Sequence, residues 1–393
     1  MRDAIVIVAA ARTPMGSFQG DFATLAAHDL GAAAIRAAVE RAAIAPALVD
    51  EVLFGNVLSA GQGQAPARQA ALKAGLPISA GAVTLSKICG SGMRSAMFGH
   101  DMLLAGSADV LVTGGMESMT NAPYLLKKGR GGYRIGHDRI FDHMMLDGLE
   151  DAYEVGRSMG TFGEDCAAQY GFTRAQQDAY AITSVSRAQH AIQSGAFAAE
   201  ITPVAVRGRG ADGLVSIDEG PGRIKLDKIP TLKPAFKIDG TITAASSSSI
   251  NDGAAAMVLM RESTAAKFGC QPLARLVAHA VHAQEPAKFA TAPASAARKV
   301  LARAGWSVAE VDLWEVNEAF AVVAMALMHE LNLSHEVVNV NGGACALGHP
   351  IGASGARIMV TLLYALQARS LKKGVATLCI GGGEATAVAL ELL

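Results

Sequence analysis

Apolar positions along this chain fall into two alternating textures. Short runs rich in β-branched residues, Ile5 to Ala9, Glu51 to Phe54 and Val110 to Thr113, read as buried strands. Alanine-rich stretches separate them. Leu25 to Ala43 and Gly92 to Ala105 read as helices, the latter with Met93, Met97 and Leu104 at roughly helical spacing. The last third repeats the alternation. Ala297 to Ala304 reads as a helix, Asp312 to Val316 as a strand and Glu318 to Leu331 as a helix. Val337 to Val340 and Val375 to Ile380 read as further strands, and Ala387 to Leu392 closes a sheet. Strands and helices in this order predict an α/β fold built in layers.

Between the outer thirds, from Asn121 to Ser249, charges, glycine and proline become frequent, as in Lys127-Lys128-Gly129-Arg130-Gly131-Gly132 and Arg207-Gly208-Arg209-Gly210. An amphipathic helix, Arg174 to Ser194, persists inside this stretch. The texture is that of an insertion with surface loops. The division that follows is residues 1–120 as an N-terminal half, 121–249 as an inserted loop domain, and 271–393 as a C-terminal half. Residues 250–270 return to the first half.

The outer thirds also resemble one another. Val49-Asp50-Glu51-Val52-Leu53-Phe54-Gly55-Asn56 matches Val311-Asp312-Leu313-Trp314-Glu315-Val316-Asn317 with one deletion. Ser91-Gly92-Met93-Arg94 matches Ser354-Gly355-Ala356-Arg357, and Gly114-Gly115-Met116-Glu117 matches Gly381-Gly382-Gly383-Glu384. Each match is short, but their order is the same in both thirds. That predicts a duplicated α/β unit with a pseudo-twofold axis.

Composition then narrows the class. At 393 residues and 51% hydrophobic, the chain collapses and is long enough for two or three domains. A formal net charge of −1 supplies no field for nucleic acid or anionic lipid. Mean hydropathy is +0.29, yet the longest apolar run, Ala319 to Met328, is about half the ~18–20 residues needed to cross a bilayer. The apolar start, Ala4 to Ala11, is interrupted by Asp3 and Arg12 and reads as a buried first strand rather than a leader. Five cysteines, an odd number with no C-x-x-C pair, point to reduced thiols in a cytoplasmic setting and away from zinc.

Candidate chemistry sits where strands give way to glycine. Cys89, in Lys87-Ile88-Cys89-Gly90-Ser91-Gly92, precedes a helix whose N-terminal partial charge would favour the thiolate. A lone cysteine is more often a small buried hydrophobe. His349 lies in a loop from Asn341 to Gly355 that is too rich in glycine for a core element. Cys379 ends a strand and is followed by three glycines whose N–H groups could form an anion nest. Asn317 likewise follows a strand, where open α/β sheets place their chemistry.

These segments resemble the thiolase family. The resemblance is carried by Cys89-Gly90-Ser91-Gly92, Asn317-Glu318-Ala319-Phe320, Gly342-Gly343-Ala344 with Gly348-His349-Pro350-Ile351-Gly352, Cys379-Ile380-Gly381-Gly382-Gly383, and Asn251-Asp252-Gly253-Ala254-Ala255. It runs from Ala10 to the last strand. It implies a duplicated, layered α-β-α-β-α fold with an inserted loop domain, and an acyltransferase whose substrates are coenzyme A thioesters. No permanently bound cofactor and no metal are implied. Cys89 would be the nucleophile, His349 its base, and Cys379 the acid and base for the α-proton. Asn317 with His349, and the N–H groups of Cys89 and Gly381, would hold the two thioester oxygens.

The same resemblance places Ser248 against the pantetheine and Met159, Phe289, Ala319 and Phe320 around the acyl group. Here the chain departs from the family: a run of serines, Ser246 to Ser249, replaces a more mixed sequence, and Ser158 stands where many short-chain members carry histidine. Arg223, Lys225 and Lys228 are candidates for the nucleotide phosphates that align poorly. The implied reaction is condensation of two acetyl-CoA to acetoacetyl-CoA, with a broader 3-ketoacyl-CoA thiolase of fatty-acid metabolism as the alternative. Ketoacyl synthases share the fold but use two histidines, and a noncatalytic acyl-CoA carrier would not need all four polar residues. Arg130 to Gly136 resembles the arm that joins dimers of the tetrameric class, which implies a homotetramer.

Overall fold

The computed structural model describes residues 3–207 and 212–393, so the Gly208 to Gly210 part of one basic patch lies outside the described residues. Nine strands make the main sheet path: β1 (Ile5–Arg12), β2 (Glu51–Gly55), β3 (Gly81–Leu85), β4 (Val110–Ser118), β5 (Asn251–Arg261), β6 (Ala274–Ala283), β7 (Leu313–Val316), β8 (Lys373–Ile380) and β9 (Glu384–Leu392). Their hydrogen-bonded order is β7-β8-β9-β6-β1-β5-β4-β2-β3. Read outward from the β1–β6 junction, the strands run β1, β5, β4, β2 in one half and β6, β9, β8, β7 in the other, with β3 lacking a counterpart. The pairings agree as well. β2 is parallel to β4 as β7 is to β8, while β5 and β9 are each antiparallel to both their neighbours. Within the sheet the halves pair through just two residue pairs, Val6 with Arg275 and Ile7 with Ala274, and the rest of their contact is made by the helices.

Four helices set the layers: α1 (Ala27–Arg41), α2 (Ser91–Ala105), α3 (Ala292–Ala304) and α4 (Ile351–Ala368). Strand alternation decides what each layer touches. In β5, Ala254, Ala256, Val258 and Met260 pack with α1 residues such as Ala34 and Ile35. The alternate residues Ala255, Met257 and Leu259 join Met93 and Met97 of α2 and Ile358 and Leu362 of α4. Leu378 and Leu390 of the other half enter that same central cluster, whereas Val375 and Ala389 face α3 through Val300 and Leu301. The layering is therefore α-β-α-β-α, with α2 and α4 shared between the halves.

The two central helices cross on the repeated Ser-Gly pairs. A Cβ on Gly92 would lie 2.8 Å from the Ala356 nitrogen, and one on Gly355 would collide with the Met93 nitrogen. A second repeat is also real. Asp50 accepts from the N–H groups of Asp109 and Val110, and Asp312 accepts from those of Lys372 and Lys373, so each aspartate ties down the start of a fourth strand. The third match is not equivalent. Gly114 and Gly115 lie inside β4, with Gly114 opposite Phe54, while Gly381 lies past the end of β8.

Three local expectations change. The apolar run after Asn317 becomes helical only at Ala321, as the helix Ala321–Leu331. Residues 317–320 are held off it because the Glu318 carboxylate is buried as an acceptor for Tyr180, Ser184, Asn339 and the Cys345 N–H. Val337 to Val340 is not a strand. Trp314 forms only a single bridge to Val338, and the Asn339 side chain replaces the next peptide, bonding both the N–H and the C=O of Val316. Finally, among the described residues one helix is long and apolar enough by length and composition to cross a bilayer, and it is α4 rather than the shorter run Ala319 to Met328. It has 18 residues at mean hydropathy 1.2, and 83% of it is buried between the halves.

The segment 121–249 carries long helices, Met159–Tyr170 and Arg174–Gln193. β5, which follows it, lies between β1 and β4. The stretch 130–136 sits in an exposed hairpin between Tyr124–Leu125 and Phe141–Asp142, with Ile135 99% exposed.

Candidate active site

Cys89 sits on a tight turn between β3 and α2. The Ser91 hydroxyl accepts from the Lys87 N–H at 2.8 Å and donates to the Ile88 carbonyl at 2.7 Å. Ile88 is forced to a φ of +47°, a left-handed conformation that costs a β-branched residue energy and must be over-determined by its surroundings. Gly90 presses on the Ile380 side chain with no space for a Cβ, which brings the turn against the end of β8. There the N–H of Gly381 and that of Cys89 itself face the sulfur. Of the five free cysteines, Cys89 alone keeps partial solvent exposure, although protein surrounds its sulfur.

His349 follows Gly348, whose φ is +91° and whose α-carbon packs on the Asn251 amide with no room for a side chain. Its backbone N–H donates to the Ser249 carbonyl at 3.2 Å. Ser354 one turn later decides the tautomer. Its hydroxyl donates to the Pro350 carbonyl at 2.9 Å, so at 2.5 Å from His349 Nδ1 it can only accept. The imidazole proton is therefore on Nδ1, and Nε2 is left as an acceptor facing Asn317 Nδ2 at 3.4 Å. Asn317 is fully buried, and its Oδ1 has no hydrogen-bond partner in the protein.

Burial dominates the electrostatics. It pushes the Cys89 thiol up to about 11, outweighing the two N–H groups that favour the thiolate. It also holds the His349 imidazole down at about 3, with the Arg357 charge acting in the same direction. Cys379 is raised well above the usual thiol range by burial and then by Cys89. The expectation of a thiolate at the start of α2 is thus reversed: the resting site holds two thiols and a neutral imidazole. A buried charge without a paired counter-charge is too costly to stand here.

Eight of the ten residues singled out in the sequence line one inner chamber: Cys89, Met159, Ser248, Phe289, Ala319, Phe320, His349 and Gly381. Its volume is about 50 Å³. Cys379 and Asn317 lie behind this lining, Cys379 packed with Phe289, Ala319 and Phe320, and Asn317 against His349. The serine run is no loose loop. Ser246, Ser247 and Ser249 bond to Thr243 or Asn251, and the Ser248 N–H donates to the Ala319 carbonyl. Ser158 precedes the helix Met159–Tyr170 without capping it through its side chain.

Sequence reasoning missed Leu149 and Ile351 in the chamber wall, and the outer vestibule of about 420 Å³ lined by Asp147, Glu150, Asp151 and Tyr153. Ile351 lies inside the His349 motif but carries no polar group to mark it, and the others are placed only by the fold of 141–153. Arg223 pairs with Glu219 and Lys228 sits beside Asp227, with both cations mostly exposed. His100, Asp101 and His279 bring possible ligand atoms within 4.8 Å of one another, but Arg94 lies close enough to His279 for its charge to oppose a cation there.

A paired-half α/β fold with a thiol and a neutral imidazole in one glycine-walled chamber defines a class of acyl-transfer catalyst. Residues 5–263 match the model of the thiolase N-terminal domain and residues 270–392 that of the thiolase C-terminal domain, so the chain belongs to the thiolase family. It is 50% identical over 392 residues to acetyl-CoA acetyltransferase 2 of Arabidopsis thaliana, covering 99% of this chain and 97% of that protein. It is 48% identical over 388 residues to the acetyl-CoA acetyltransferase of Pseudomonas aeruginosa, covering 98% of each. The crystal structure of the Bacillus anthracis acetyl-CoA acetyltransferase superposes with a TM-score of 0.97 at 40% identity, over 100% of this chain and 99% of that one.

Proposed function

We propose that this protein is an acetyl-CoA C-acetyltransferase, condensing two acetyl-CoA to acetoacetyl-CoA and free CoA through an acetyl-Cys89 intermediate. The observation that carries the reading is the inner chamber. A water needs about 10–15 Å³ on this measure, so the roughly 50 Å³ beside Cys89 suits an acetyl group and leaves no space for a long acyl chain.

The proton inventory makes the chemistry close. His349 Nε2 takes the Cys89 proton as the sulfur attacks the thioester carbon. The departing CoA sulfur takes its proton from Cys379, which leaves Cys379 as a thiolate. That step supplies a base from a thiol whose proton is held too tightly to leave in the resting site. The Cys379 thiolate removes the α-proton of a second acetyl-CoA, and the enolate carbon attacks the acetyl carbon on Cys89. Cys89 leaves as a thiolate and recovers its proton from His349. Charge on the acetyl oxygen falls to the N–H groups of Cys89 and Gly381, and charge on the enolate oxygen to His349 and Asn317. Losing one such donor costs about 3 kcal/mol of transition-state stabilisation.

The pantetheine would run through the vestibule past Ser248, with residues 121–249 forming the coenzyme A-binding insertion. The same reading extends to a homotetramer assembled through the arm with exposed Tyr133 and Ile135, a cytoplasmic location in keeping with five unpaired thiols, a role in fatty-acid metabolism, and catalysis without a resident cofactor. Mass spectrometry of the protein after exposure to acetyl-CoA tests the core of it. One acetyl adduct is expected on the native chain and none on Cys89→Ala; an adduct persisting in that variant overturns the nucleophile.

A further inference from the structure

Glu117 is fully buried near the end of β4, and its carboxylate accepts four hydrogen bonds. Asn56 Nδ2 at 2.6 Å and the Leu58 N–H at 3.1 Å reach Oε1. The N–H groups of Val57 at 3.0 Å and Gly352 at 2.9 Å reach Oε2. Gly352 is the second residue of α4, the helix that begins two residues after His349. The first turn of a helix leaves N–H groups without partners inside it, and Pro350 at the cap position offers no side-chain acceptor. The contact is tight: a Cβ on Gly352 would lie 2.7 Å from the Met116 carbonyl and 2.8 Å from Glu117 Oε2.

We propose that Glu117 is a positioning residue for acyl transfer: reaching across from the N-terminal half, it caps the helix that carries the His349 loop and so fixes where the imidazole meets Cys89. The proposal rests on His349 being the base. A carboxylate is the right group for this, because its bonds to N–H donors are charge-assisted and the helix start favours negative charge. All four partners are donors, so a proton on Glu117 would turn one accepting oxygen into a donor facing an N–H. The cap is therefore complete above the acid's midpoint and lost below it.

Burial raises this acid to about 7, inside the range of a kinetic titration. The elements packed against it present the N–H groups and the Asn56 amide already named. Of the other ionisable side chains around the site, His349 is held at about 3 and Cys89 at about 11, and His143 accepts from the Ala60 N–H on the adjoining loop.

Glu117→Gln replaces one accepting oxygen by an NH2 group. Rapid-quench acetylation of the full-length protein by acetyl-CoA, followed from pH 5.5 to 9 alongside thermal melts, reads the effect. Because small displacements of a reacting group are costly, the acetylation rate constant is expected to fall about 10- to 100-fold while the acetyl-CoA concentration for half-saturation changes little. The acid limb of the native profile, centred near 7, disappears in Glu117→Gln and persists in His143→Gln. If Glu117→Gln does not fold, Asn56→Ala serves. It removes one donor from the carboxylate, so the rate falls less and the limb moves to higher pH. A folded Glu117→Gln with the native rate and limb overturns the proposal, as does an Asn56→Ala profile with an unmoved limb. Either result beside an inert Cys89→Ala leaves the acyl-cysteine reading standing, whereas acetylation of Cys89→Ala would remove that reading instead.

Discussion

Superposing the two halves by strand register puts Gly55 opposite Gly115 in one and Val316 opposite Thr377 in the other. Asn56 and Asn317 are then equivalent, and two residues along the fourth strands Glu117 falls where Cys379 falls. The Gly92 and Gly355 crossing likewise makes Gly352 the counterpart of Cys89. The same corner of the fold thus holds two thiols on one side of the axis, and a carboxylate bonded to a bare N–H on the other. Both corners are buried, both receive the start of a helix from the opposite half, and only one opens on a chamber. Topology supplies the corner. What stands in it differs, and in the proposed mechanism the carboxylate copy braces the thiol copy.

The comparison can be broken most sharply at Cys379. Cys379→Ser keeps the shape but holds its proton harder, and loss of this acid and base is expected to slow condensation by about 10²- to 10⁴-fold. First-step acetylation of Cys89 should suffer less; equal loss in both half-reactions would count against the assignment. The next effect is on stability. His349 binds its proton only below about 3 when folded but near 6.5 when unfolded, so between these values the unfolded chain is the better proton acceptor. Stability from this group is lost as pH falls through that window, by at most about 1.4 kcal/mol per pH unit. Urea unfolding of His349→Asn should show a correspondingly flatter slope, and an unchanged slope would place the imidazole in solvent.

Smaller still, Gly355→Ala and Gly92→Ala should each lose about 1–3 kcal/mol in chemical denaturation, because the symmetric helix crossing has no room for a methyl group. Unequal losses would show that the axis is only approximate there. Gly222→Ala, with nothing within 4 Å of the added carbon, should stay within about 0.5 kcal/mol.

How much of this was legible depended on whether an interaction was local. The duplication could be read because strands and helix starts carry short-range signals, such as Asp50 and Asp312 ahead of buried runs. The glycine match at 114 and 381 misled, because glycine marks close approach in β4 but a turn after β8. The end of β7 was misjudged at Asn317 and Asn339 for one reason: buried side chains, Glu318 and Asn339 itself, occupy hydrogen-bonding places that backbone pattern assigns to helix or strand. The candidate site residues were recognisable as motifs. Their protonation was not, since the charge on Cys89 and His349 depends on burial by elements remote in sequence.

The position of β1 also sets a schedule for synthesis. Every residue of Ile5–Arg12 is buried, yet both of its neighbours, β5 and β6, are made only after residue 250. At roughly 5–20 residues per second, this apolar ribbon waits on the order of ten seconds or more beside the ribosome without a partner. The N-terminal half therefore cannot close its sheet as it is made, and an apolar strand stays open to wrong pairing for that time.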